Sequence, residues 1–162
     1  MNTAREKGCT TCAFNQNSIA EWVQMNRSRL TDKEAINLLD MGTPLELYNN
    51  GGAAKVGEAL KALDNRIATD SEQANAKAIL GTSAILRHSI QYWDSSYTDA
   101  QHPFYPVINR DINYRTCWYC VYIALTDAFS YQDCLYNSGI TNPNTAEIVC
   151  QNQAAYTSSL YY

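Results

Sequence analysis

Five times in 162 residues the chain writes the start of a helix in the same chemical form. Ser18-Ile-Ala-Glu21, Thr31-Asp-Lys-Glu34, Thr43-Pro-Leu-Glu46, Asp70-Ser-Glu-Gln73 and Asn144-Thr-Ala-Glu147 each set a short polar side chain three residues ahead of a Glu or Gln. The first can accept a bond from an unpaired N–H of the opening turn, and the second can reach back to the cap. Pro44 after Thr43 suits a first helical position, where its missing N–H is no loss. Turn-forming residues stand where such helices must stop: Gly42, Asn49-Asn50-Gly51-Gly52, the stretch from Asp94 to Asp99, and Asn137-Ser138-Gly139.

Apolar spacing agrees with this punctuation. Val56, Ala59, Leu60, Leu63 and Ile67 recur at the helical period, with Lys55, Glu58, Lys61 and Asp64 on the other faces. Ile79, Ser83, Leu86, Ile90 and Trp93 form a second seam in a helix expected from about Ser71 to Trp93. Cys117, Val121, Ala124, Leu125 and Ala128 form a third, within Ile108 to Asp133. No segment alternates with period two, so no strand is expected. The predicted fold is all-α: an antiparallel bundle of five to six helices, stapled by disulfides. Residues 17–162 form the bundle as a single domain, and 1–16 an N-terminal extension carrying Cys9 and Cys12. A chain of this length, 46% hydrophobic, buries a core without needing a metal.

Cys9, Cys12, Cys117, Cys120, Cys134 and Cys150 make an even set, which an oxidising compartment converts into bridges. The expected location is therefore extracytoplasmic or secreted, with a signal already removed. Cys117-Trp-Tyr-Cys120 admits a second reading, as a thiol–disulfide exchange pair whose thiolate is favoured by a helix start and by Arg115. These four residues resemble the Cys-x-Tyr-Cys of the alkylhydroperoxidase AhpD-like family, which would imply an all-helical redox enzyme. In that family a His four residues after the second Cys completes the proton relay, and Ala124 stands there in this chain. Zinc held by the two Cys-x-x-Cys pairs is disfavoured, because more than a hundred residues separate pairs that zinc ribbons keep about 15 to 20 apart.

Charge is distributed unevenly. The formal net charge is −4, and after Arg115 there is no Lys or Arg, while seven of the twelve tyrosines lie there. A chain without clustered cations does not suit nucleic acid. Its longest uncharged apolar run, Trp118 to Leu125, is far short of the about 20 residues that span a bilayer. Tyr131, Tyr136, Tyr156, Tyr161 and Tyr162 form a candidate interaction surface, since Tyr brings contact area with a polar tip.

His88 and His102 lack a Cys or carboxylate at ligand spacing, and Asp111 and Asp127 are expected to face Arg110, Arg115 or His88 across the bundle. No metal or other cofactor is expected. The leading expectation is a non-enzymatic domain that meets a protein partner or its own copies through the Tyr-rich surface. One alternative is a thiol oxidoreductase using Cys117 and Cys120. Another is a bundle that binds an apolar small ligand in a pocket lined by Trp22, Trp93, Trp118 and tyrosines.

Overall fold

A computed structural model describes residues 16–70, 76–108 and 118–159. Six helices carry the architecture among them: α1 Gln16–Met25, α2 Asp32–Asp40, α3 Gly52–Thr69, α4 Ala76–Thr98, α5 Trp118–Asn137 and α6 Pro143–Ser159. Single helical turns at Arg27–Arg29, Gly42–Glu46, Leu47–Asn50 and Tyr105–Ile108 connect or extend them. The all-α bundle is as expected, and no strand occurs among the described residues.

Pairs of contacts fix the directions. Asp64 of α3 meets Arg87 of α4, and Gly57 of α3 lies against Gln91, so the two helices run antiparallel. Thr82 bonds Gln132 and Ser89 bonds Asp127, which sets α5 antiparallel to α4. Cys134 of α5 is bridged to Cys150 of α6, with Cα atoms 5.4 Å apart, and Tyr131 packs with Ala154, so α6 reverses direction again. The predicted seams are the buried ones: Val56, Leu60, Leu63 and Ile67 from α3, Ile79, Leu86, Ile90 and Trp93 from α4, and Val121, Ala124, Leu125 and Ala128 from α5. α1 and α2 close the end of this core with Ile19, Trp22, Ala35 and Leu38.

Helix starts divide into those written by a box and those written otherwise. Thr31 caps α2 in full: its Oγ1 accepts from the Glu34 N–H at 3.2 Å, and its own N–H donates to Glu34 Oε2 at 2.7 Å. α1 already contains Ser18, and the turn Gly42–Glu46 contains Thr43 without a side-chain cap. Asp70 is the C-cap of α3 and pairs with Lys33, and its expected box with Gln73 falls on 71–75, which lie outside the described residues.

α6 is capped two residues before the expected Asn144. Asn142 Oδ1 accepts from the N–H groups of Asn144 and Thr145 at 3.0 and 3.2 Å, and Pro143 takes the first helical position. α4 also runs through its expected stop to Thr98. Ser95, Ser96 and Thr98 turn their hydroxyls back onto the carbonyls of Gln91, Trp93 and Asp94, so residues that favour turns are satisfied inside the helix.

Candidate functional site

α4 and α6 both pack on α5 without closing on one another, and a cavity of about 640 Å³ lies between them. Gly81, Ala84, Ile85, His88, Ser89 and Tyr92 face it along one side of α4, at spacings of three and one that repeat the helical turn. These positions flank the core seam of Ile79, Leu86 and Ile90, so one helix presents a packed face and an open one. From α6 come Gln151, Ala154 and Ala155, and the small side chains of the two alanines leave space unfilled.

One end lies beside the bridge, whose cluster shares Ile85 and Ala154 with the cavity wall. Tyr131 is 3% exposed and packs with Cys150 and Ala154, with Cys134 and Ile85 alongside. A Cβ at residue 81 would stand 2.6 Å from Tyr131 Oη, so the glycine is what lets α4 come this close to the ring. The other end is aromatic. Tyr92 meets Trp93 edge-on with centroids 4.9 Å apart, and Phe104 lies 5.9 Å from Trp93. His102 stacks edge-on against Tyr92 at 4.8 Å, and its Nδ1 accepts from the Phe104 N–H at 3.3 Å, which fixes the segment carrying Phe104.

Between these ends the wall turns polar. Asp127 reaches in from α5, 5% exposed, and Ser89 Oγ donates to its Oδ2. Ser89 and Trp93 are one turn apart on α4, so carboxylate and rings share one half of the cavity. Glu147 of α6 lies toward the other half and pairs with Lys77 at 2.9 Å. None of the described residues lining the space is Lys or Arg.

The predicted site residues fare differently. Cys134 and Cys150 are joined, as a staple requires. Cys120 is also disulfide-bonded and fully buried, its Sγ 3.1 Å from the Trp93 carbonyl oxygen. In this state its sulfur is neither a thiolate ligand for zinc nor open to an attacking thiol. Cys9, Cys12 and Cys117 lie outside the described residues, as do Arg110, Asp111 and Arg115.

The tyrosines do not form one surface. Tyr131 is core, which corrects its placement among exposed residues, because the ring fills the space that Gly81 leaves. Tyr136 is half-buried, its hydroxyl 3.4 Å from Glu34 Oε1, and burial together with Glu34 pushes its pKa up to about 12. Tyr156 is 60% exposed, and Tyr161 and Tyr162 lie outside the described residues.

Of the tryptophans proposed for a pocket, only Trp93 can be placed on it. Trp22 is buried against Phe129 at 5.0 Å, with its Nε1–H donated to Asp133, and the Trp118 side chain is outside the described set. Asp127 is more deeply buried than its place beside the Ala124/Ala128 stripe implied. Its bond to Ser89 could not be read from a sequence separation of 38.

No protein-family model, curated protein or solved structure matches this chain. Among the described residues no helix is long and apolar enough to cross a membrane.

Proposed function

We propose that this chain is a small-molecule binding module acting through the cavity between α4 and α6. The observation that carries this reading is a space of about 640 Å³ that is apolar over most of its wall and polar at a few fixed atoms. Binding sites for small ligands have this size and this balance, in which apolar area supplies affinity and placed polar groups supply orientation. Export to an oxidising compartment belongs to the same reading, because the Cys134–Cys150 bridge ties α6, which supplies one wall of the space, to α5.

The test is titration with an uncharged apolar fluorophore such as phenyl-naphthylamine, following quenching of Trp93 emission. Saturable binding should disappear in Ala84→Phe, which fills the space from α4, while the thermal midpoint stays within a few degrees. Equal binding by both proteins would place the probe elsewhere and overturn the reading.

A second reading, contact with a protein partner or another copy, is favoured by the outer side of α6, where Ile148 is 61% exposed and Tyr156 60%. Sedimentation distinguishes self-association: a monomer at every concentration, unchanged by Tyr156→Ser, removes that form of it.

A further inference from the structure

The cavity is long rather than round and its two ends are chemically unlike, which narrows the ligand beyond the binding role on which this inference rests. We propose that it takes an aryl-alkyl alcohol laid lengthwise along α4: a ring among Tyr92, Trp93 and Phe104, a hydrocarbon chain past Ala84 and Ala155, and a hydroxyl at Gln151 and Glu147.

The lining positions of α4 run from Gly81 to Trp93 at alternating spacings of three and one, so they form a stripe along the helix axis instead of a patch around it. At a rise of 1.5 Å per residue that stripe is about 18 Å long. A volume of about 640 Å³ spread over this length has a mean section of roughly 35 Å², so the space is about three times as long as it is wide. A compact guest would leave one end of such a space without partner atoms, and the dispersion contacts there would be lost. A rod keeps them.

The ends set its direction. Both α4 and α6 run against α5, so they run parallel to one another. The Lys77–Glu147 pair sets Glu147 beside Lys77, one turn before Gly81, and Gln151 lies one turn further along α6, level with Gly81. A ligand hydroxyl at this end can donate to the Glu147 carboxylate and accept from the Gln151 amide.

At the far end Tyr92 and Phe104 meet Trp93 at 90° and 50°, with centroids 4.9 and 5.9 Å away. An aromatic guest gains from edge-on and offset contacts with such rings beyond the area it buries. Ser89 and Asp127, bonded to each other, form the wall beside it. Between the ends Ala84 and Ala155 carry only methyl groups and Ile85 is aliphatic. A chain of methylenes suits that stretch, because it is narrow and asks for no hydrogen bond.

Displacement of phenyl-naphthylamine by ω-phenylalkan-1-ols of rising chain length, from phenylethanol to phenyldecanol, tests the placement. Affinity should rise about fourfold per methylene, as burial of each CH₂ group requires, and should stop rising once the hydroxyl passes Gln151. Ala155→Leu, at an exposed position of α6, narrows the chain's path and should bring the plateau forward to shorter members while sparing phenylethanol. Phe104→Leu should weaken the phenyl members by about threefold or more and leave their cyclohexyl counterparts nearly constant.

Affinity that ignores chain length, or that climbs through the whole series without a plateau, overturns the lengthwise placement, as does an Ala155→Leu that weakens long and short members alike. Equal weakening of phenyl and cyclohexyl members by Phe104→Leu overturns the seat of the ring. If no alcohol displaces a fluorophore that the wild type binds and Ala84→Phe excludes, the alcohol inference fails and the cavity reading stands. A wild type that binds no fluorophore removes both.

Discussion

The carboxylates of the first half of the molecule and those of α5 are stabilised by different chemistry. From α2 to α4 three acidic groups meet cations, Asp40 with Arg66, Asp70 with Lys33, and Asp64 with Arg87, while Glu34 and Asp94 accept from neutral donors, the Thr31 N–H and the Tyr48 hydroxyl. On α5, Asp127 is bonded by the Ser89 hydroxyl and Asp133 by the Trp22 indole N–H at 3.1 Å. The absence of Lys and Arg after Arg115 is the sequence cause. Acidic groups on the last two helices must borrow their cations from upstream, as Glu147 does from Lys77 and Asp133 from Arg29.

The largest way to break the comparison is to remove the covalent element that the second half has. Cys134 and Cys150 close a loop with a sequence separation of 16, for which chain entropy predicts a stabilisation of about 3 kcal/mol. The double variant Cys134→Ala/Cys150→Ala should lower the thermal midpoint measured by calorimetry by a corresponding amount. It should also loosen the bridged end of the cavity, because Tyr131 and Ala154 pack on that bridge. Retention of both the midpoint and the near-ultraviolet signal of the aromatic rings would show that the last helix is held by side-chain packing alone.

A sharper test sets one carboxylate from each half against the other. The Asp64–Arg87 pair is mostly shielded, with side-chain exposures of 17% and 24%. Asp64→Asn leaves the Arg87 charge without its partner and should cost about 1–3 kcal/mol in urea unfolding. Asp133→Asn should have the opposite sign at neutral pH. The amide oxygen can still accept from Trp22, and a charge that burial disfavours is gone.

The same group gives a pH test. Burial raises the Asp133 pKa above its ordinary 3.8, against smaller lowering effects of the Trp22 hydrogen bond and of Arg29. The folded carboxyl therefore keeps its proton to higher pH than the unfolded one, and between the two values the native state binds more protons. This contribution is fully present below 3.8 and is lost as pH rises through the folded-state value. In Asp133→Asn that segment of the stability curve should flatten.

What the chain made legible follows from the range over which each feature is encoded. The buried stripe of α3 and the Thr31–Glu34 box depend on residues three or four apart, and both are present as read. The six-helix bundle follows from summing such local signals. Ser89 and Asp127 depend on the register of α4 against α5, which no short-range pattern states. The cavity is harder still, because it is a contact not made. Its trace was the run of small residues beside the seams, Gly81 and Ala84 on α4 and Ala154 and Ala155 on α6, which reads as ordinary helix composition until the two faces are set opposite. Tyr131 shows the converse: one residue among many tyrosines in the sequence, it is a core ring because a glycine faces it.

The smallest effect lies at the alkaline end, where the two regions meet. The Tyr136 hydroxyl from α5 stands against buried Glu34, the capping-box residue of α2, and its pKa of about 12 compares with an ordinary 10.0. Desolvation is the first cause, because it disfavours the phenolate; the Glu34 charge adds to it, and a bond from Gln132 opposes it. The folded phenol keeps its proton while the unfolded one loses it, so stability should decline as pH climbs from 10.0 toward about 12. Following phenolate absorbance should show Tyr136 ionising late, together with Tyr131, whose pKa burial and Glu147 also raise. Glu34→Gln removes the nearby charge but keeps an acceptor for the Thr31 N–H, so it should move the Tyr136 transition toward lower pH while α2 stays folded. A transition that does not move would assign the shift to burial alone, and the contact between α2 and α5 would then be one of packing without charge.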